Sequence, residues 1–145
     1  MKKIFFALVA LMMSICAHAF DFDGIDLNGN VVEITRQISA KGYVYDEAND
    51  CLKGICQGTE IYLTINYQDV KQKNKIGQLM VDIPMKSDDA LSDVAMTFNV
   101  IYHQVANSNG IYTYQIGDDG TTLALSKTNN GIRLTYSTPY YKKIK

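Results

Sequence analysis

The chain has no tryptophan, only two prolines, only two histidines and no excess of basic side chains. The missing basic excess argues against a nucleic-acid surface, which is built on clustered Lys and Arg. The scarcity of histidine narrows the catalytic options. His103 is the only histidine after residue 19, and its neighbourhood supplies no carboxylate or cysteine at dyad or metal-ligand spacing. No G-x-S-x-G elbow, Walker loop, dinucleotide fingerprint or H-E-x-x-H is present. No apolar run is long enough to span a bilayer.

What is there begins with a leader. Lys2 and Lys3 precede an apolar run from Ile4 to Ile15, and Ala17-His18-Ala19 forms an A-x-A site. This order reads as a secretory signal peptide over residues 1–19, cleaved after Ala19. Met13-Ser14-Ile15-Cys16 falls short of a lipoprotein box, because Ile15 stands where a small residue is needed. Cleavage removes Lys2 and Lys3 from the 14 basic side chains, leaving 12 against 15 acidic ones, a net charge of −3. The expected product is exported to the periplasm or beyond the cell, as one α+β domain over residues 20–145.

Cys51 to Tyr67, CLKGICQGTEIYLTINY, organises the remainder. A two-residue loop at Gln57-Gly58 sets Cys56 opposite Thr59, Gly54 opposite Ile61 and Leu52 opposite Leu63. Alternation then collects Leu52, Gly54, Cys56, Ile61, Leu63, Ile65 and Tyr67 on a core face. The other face carries Cys51, Lys53, Ile55, Glu60, Tyr62, Thr64 and Asn66. Five residues of extended chain separate Cys51 from Cys56 by about 16 Å, whereas a disulfide needs Cα atoms roughly 4.4–6.8 Å apart. The strand and a Cys51–Cys56 bridge exclude each other. The strand is preferred, with Cys56 buried and Cys51 outside.

Around this hairpin the pattern supplies two helices and further strands. Phe20 to Gly29 reads as an extended lead-in rather than a calcium loop. Leu27, Val31, Ile34 and Ile38 mark a first amphipathic helix, capped by Asn30 with Glu33 as an imperfect capping box and stopped at Gly42. Lys71 to Lys75 is a polar loop, and Leu79, Val81, Ile83 and Met85 alternate inward along a third strand that ends at Pro84. Ser87-Asp88-Asp89 opens a second helix with its stripe at Leu91, Val94, Phe98, Ile101 and Val105, ending at Asn107 to Gly110. On that helix His103 shares an outer face with Ser92, Met96 and Asn99. Three strands follow, 111–116, 122–127 and 132–138, with turns at Asp118-Asp119-Gly120 and Asn129-Asn130-Gly131 and a loose tail over 140–145. The expected fold is one mostly antiparallel sheet of about six strands with two helices on one face. Leu79 with Pro84, and Leu134 with Pro139, suggest two α-then-β halves, about 20–86 and 87–139.

Phe22-x-Gly24-Ile25-x-Leu27-x-Gly29, Ile38-x-x-Lys41-Gly42-Tyr43 and Leu52-x-Gly54-x-Cys56-x-Gly58 resemble the pattern of a family of small exported bacterial proteins. In that family F-x-G-I-x-L-x-G, L-x-x-K-G-F and L-x-G-x-F-x-G recur at these spacings. Here Cys56 replaces the aromatic and Ile38 the leucine. The resemblance implies an architecture and an exported habit and transfers no catalytic residue. At the level of fold it is similar to β-lactamase-inhibitor-like proteins and small outer-membrane assembly lipoproteins.

The paired carboxylates Asp88-Asp89 and Asp118-Asp119 stand where caps and turns want them, so no acid/base pair is assigned. The expected function is a non-enzymatic binding or inhibitory module of the cell envelope, without cofactor or metal, whose partner is an envelope protein or a glycan. A structural or assembly accessory is the alternative, and an enzyme of unrecognised type a third. The candidate binding residues are those of the wet sheet face: Tyr62, Thr64, Asn66, Thr113, Gln115, Arg133, Thr135 and Ser137.

Overall fold

The computed structural model describes residues 21–56, 58–68, 71, 74–85, 89–116 and 120–141. The leader, Gln57, Ser87-Asp88, Asp118-Asp119 and the tail after Tyr141 lie outside those residues. One antiparallel sheet of eight strands dominates, in the order β3-β4-β5-β6-β10-β9-β8-β7. Its strands are β3 (Val44–Asp46), β4 (Cys51–Cys56), β5 (Thr59–Tyr67), β6 (Ile76–Pro84), β7 (His103–Ser108), β8 (Ile111–Gln115), β9 (Thr122–Lys127) and β10 (Gly131–Ser137). Two helices accompany it, α1 (Val31–Ala40) and α2 (Ala90–Ile101). A separate two-stranded ladder, β1 (Asp21–Phe22) with β2 (Ile25–Asp26), leads in.

The central hairpin has the register that alternation requires, with Leu52 opposite Leu63, Gly54 opposite Ile61 and Cys56 opposite Thr59. Gly58 takes a φ of 80°, which an L side chain adopts only under strain. Ile61, Leu63, Leu79, Val81, Ile83, Leu123, Leu125, Ile132, Leu134 and Tyr136 share the dry side of the sheet and are all buried. Ile34 and Ile38 from α1, and Ala90, Val94, Ala95 and Phe98 from α2, belong to the same core cluster. Among the described residues no helix is long and apolar enough to cross a membrane.

Helix α1 starts where the Asn30 side chain accepts from the Val32 N–H at 2.8 Å. Glu33 does not complete a capping box; its carboxylate is engaged by the Arg36 guanidinium. Gly42, at φ 98°, stops the helix. The lead-in, extended in expectation, folds back on itself through a tight turn at Asp23 (φ 51°) and Gly24 (φ 79°), and buries Phe22, Ile25 and Leu27.

Two strands were missing from the expected six. β3 is three residues long and ends in a turn in which Asp46 accepts from the Ala48 N–H and from Asn49 Nδ2. β7 lies where the helical stripe through Val105 predicts helix. α2 ends at Ile101, Tyr102 is already extended (φ −118°, ψ 158°), and Val105 sits half-exposed on a strand. Asn109 (φ 56°) and Gly110 (φ 76°) therefore form a hairpin turn between β7 and β8, not a helix stop. The reason is aromatic packing: Phe98 meets Tyr102 and Tyr114 edge-on, each at 5.6 Å between ring centroids, and this holds the chain leaving α2 against β8.

Three smaller corrections follow from packing. Tyr67, placed on the core face, is 43% exposed, because the register slips between Asn66 and Tyr67. Gly54 admits the ring of Tyr43, not a helix backbone. Tyr141 stands with its ring against Gly77 rather than loose.

The polar face of the sheet and its cleft

Side chains of opposite parity to the core form the second face, and strand register sorts them into rows. Tyr62, Asp82, Arg133 and Ser126 stand in one row across β5, β6, β10 and β9. The next holds Thr64, Met80, Thr135, Ala124 and Thr113, and the third Asn66, Gln78, Ser137, Thr122 and Gln115. All eight sequence-predicted binding residues thus share one face. His103, expected on the outer face of a helix, opens β7 opposite Gln115 and extends the third row.

The rows are bonded side chain to side chain. Asn66 Nδ2 donates to Gln78 Oε1 at 2.9 Å, and Gln78 Nε2 donates to Ser137 Oγ at 3.0 Å. Arg133 grips Asp82 with two bonds, Nε to Oδ1 at 2.6 Å and Nη2 to Oδ2 at 3.1 Å. The Tyr62 hydroxyl donates to Glu60 Oε1 at 2.6 Å, and Lys53 Nζ lies 3.8 Å from Glu60 Oε2. That hydrogen bond, ahead of burial and of the Glu60 charge, holds the Tyr62 hydroxyl above the usual phenol range.

The face is not flat throughout. An open cleft of about 680 Å³ lies along the first row, between the 128–130 turn and Asn49 of the β3–β4 turn. Tyr62, Thr64, Glu60, Asp82, Arg133 and Cys51 are in its walls. Three of the eight predicted residues therefore line the cleft; Asn66, Thr113, Gln115, Thr135 and Ser137 lie on the face beyond it. Sequence reasoning missed Asp82 as a site residue, although the inward alternation of Val81 and Ile83 already placed it outward. Only the pairing of β6 with β10 brings it to Arg133.

Cys51 needs a correction. Its parity is that of the polar face, as expected, yet it is only 8% exposed. Strand β3, which pairs Asp46 with Cys51, and the turn that follows it enclose the thiol. Cys51 and Cys56 are both free. Burial, and then the charges of Asp46, Asp82 and Asp50, push the Cys51 thiol up. A nucleophilic cysteine is activated by the opposite environment, one that lowers its pKa. Among the described residues no group of three or more His, Cys, Asp or Glu is placed to hold a metal ion.

No protein-family model, curated protein or solved structure matches the chain.

Proposed function

We propose that the protein is an exported, non-enzymatic binding module of the bacterial cell envelope, holding a protein partner against the polar face of its sheet. The observation that carries this reading is the hydrogen-bonded polar surface running across β5, β6 and β10, with a cleft beside Tyr62. Fixed rows of Asn, Gln, Ser and Arg side chains have already lost the rotamer freedom that an interface would otherwise have to remove. Tyr62 adds an amphipathic ring that needs little further ordering. The resemblance to small exported bacterial proteins and the A-x-A leader support the compartment. The element order supports an origin by duplication: a helix and four strands occur twice, and the strand order runs inward from β3 to β6 and from β7 to β10.

The test is cross-linking of the tagged protein in its native envelope, with wild type and Tyr62→Ala compared at equal folded content. A protein captured by wild type and lost from Tyr62→Ala supports the reading. Recovery of the bait alone, at high cross-linker, overturns it. Capture of an outer-membrane complex that is indifferent to Tyr62→Ala assigns the chain to assembly instead.

A further inference from the structure

The two edges of the eight-stranded sheet are guarded unequally. An edge strand offers unpaired N–H and C=O groups to any strand that meets it, and proteins blunt that hazard with short strands, charges, proline or bulges. β3 is three residues long and runs into a turn carrying Asp46, Glu47 and Asp50. β7 is six residues long, is exposed at every position but Gln104, and contains no lysine, carboxylate or proline. Its one guard is a bulge at Val105, between the Gln104–Tyr114 and Ala106–Thr113 pairs, which leaves Ala106 to Ser108 regular.

β7 belongs to a longer neutral stretch. From Val94 to Ile116 there is no Asp, Glu, Lys or Arg, although these four types make up 20% of the chain. Four of the exposed large apolar side chains stand within it: Met96, Val100, Val105 and Ile111. Val100, in the last turn of α2 just before β7, is 87% exposed. Loss of charge together with exposed apolar side chains is the composition of an interface core, not of a solvated edge.

The hairpin fixes which backbone groups are on offer. Asn109 and Gly110 both have positive φ and Ser108 faces Ile111, so Ser108 and Ile111 are the hydrogen-bonded pair that closes a two-residue turn. Alternation then turns the Asn107 N–H and C=O away from β8, toward the open edge. A second copy of the chain offers the same two groups, and antiparallel pairing sets them opposite their own equivalents across a two-fold axis. Charge also favours a second copy. Each exported chain carries a net charge of −3, so two copies repel least where their surfaces hold no charge. The short, acidic β3 edge is closed to the same meeting, so pairing cannot pass from edge to edge into a filament.

We infer that the chain forms a two-fold dimer through β7, with Asn107 of one copy opposite Asn107 of the other and the two sheets joined into one. A two-fold axis perpendicular to the sheet keeps both polar faces on the same side, so the dimer presents that surface twice. The dimer does not depend on what the polar face holds. Its shared ladder is short, which makes it weak and concentration-dependent.

The experiment is sedimentation equilibrium of the mature protein from about 10 μM to about 1 mM, paired with backbone amide exchange by NMR at both ends of that range. The expected result is a reversible monomer–dimer equilibrium in which exchange of the Asn107 amide slows as concentration rises. The Ser108 amide, already bonded to Ile111, should change less. Asn107→Lys and Asn107→Asp each set like charges face to face at the axis and should raise the dimer Kd by about tenfold or more. Asn107 is exposed, so both variants should keep the wild-type fold. A monomer throughout the range overturns the inference. So does a dimer that both variants leave intact while Asn107 exchange stays independent of concentration, and so does assembly that grows beyond two copies. Capture of a protein through Tyr62 is read on the face, not the edge, and neither result decides the other.

Discussion

The Tyr43 ring occupies the space above Gly54: a Cβ added to Gly54 would lie 2.3 Å from Tyr43 Cδ1. The stretches Lys41-Gly42-Tyr43 and Leu52-x-Gly54 thus meet in one contact, an aromatic ring on bare backbone. Gly54→Ala is expected to destabilise the fold by about 1–3 kcal/mol, the usual cost of overpacking a filled core. In a Tyr43→Leu background the same change should cost much less, because the obstructing ring is gone. Urea denaturation of the two single variants and the double variant measures the coupling. Additive costs would mean that the contact is not the reason for the glycine.

That contact also marks the reach of sequence reasoning here. Alternation around Gly58 predicts the hairpin register and the two faces, because side-chain parity is a local property, but it fails at Tyr67, which a register slip exposes, and at Cys51, which is buried on the outer side. The contact of Tyr43 with Gly54 depends on β3 lying beside β4, and three residues of Val-Tyr-Asp carry too little periodicity to reveal a strand. β7 was lost for a different reason. Phe98, Ile101 and Val105 continue a helical period past the point where Tyr102 turns the chain, and Asn109-Gly110 suits a helix stop as well as a hairpin turn. The polar face was legible and the cleft was not, since the cleft needs Asp82 and Arg133 across the central strand pair, 51 residues apart.

The Asn109-Gly110 turn gives a clean backbone test. A Cβ at Gly110 meets nothing within 4 Å, so Gly110→Ala has only its φ of 76° to contend with. The expected cost is about 1–2 kcal/mol. If α2 instead continued through this segment, alanine would stabilise it. The direction of the shift in the thermal midpoint separates the two.

Replacing Arg133 by methionine removes both bonds to Asp82 while keeping much of the side-chain stem. The pair is partly exposed, with side chains 39% and 27% accessible, so solvent screens it and the loss in stability should stay within about 1 kcal/mol. A large loss of fold with this variant would identify the pair as structural.

The free thiols predict an order of modification. Cys51 is 8% exposed and lines the cleft, whereas Cys56 is 3% exposed and sits in the core with Tyr43. In native buffer at neutral pH both should react slowly with a thiol reagent. Cys51 should react first, through local opening of the β3 turn, and Cys56 only with global unfolding. Mass spectrometry of partially labelled protein assigns the order. An intact mass two hydrogens below the reduced value in the monomer would replace this picture with a disulfide and a broken strand.

Alkaline pH acts on the same core. Burial, followed by the charges of Cys56 and Asp23, raises the Tyr43 hydroxyl; burial, followed by the charge of Asp23, raises the Cys56 thiol. Both groups are neutral when protonated, and both hold their proton more tightly folded than unfolded. Their contribution to stability is therefore complete below the unfolded values, roughly 8.5 for a thiol and about 10 for a phenol. It is lost as pH rises above them, because the unfolded chain then releases protons that the folded chain keeps. The urea midpoint should fall steadily from pH of about 8.5 upward, and Tyr43→Phe with Cys56→Ala should flatten that fall even where the variant is less stable at neutral pH. An unchanged slope in the double variant would show that other groups govern alkaline unfolding and that the Tyr43 hydroxyl and Cys56 thiol are not confined as the packing requires.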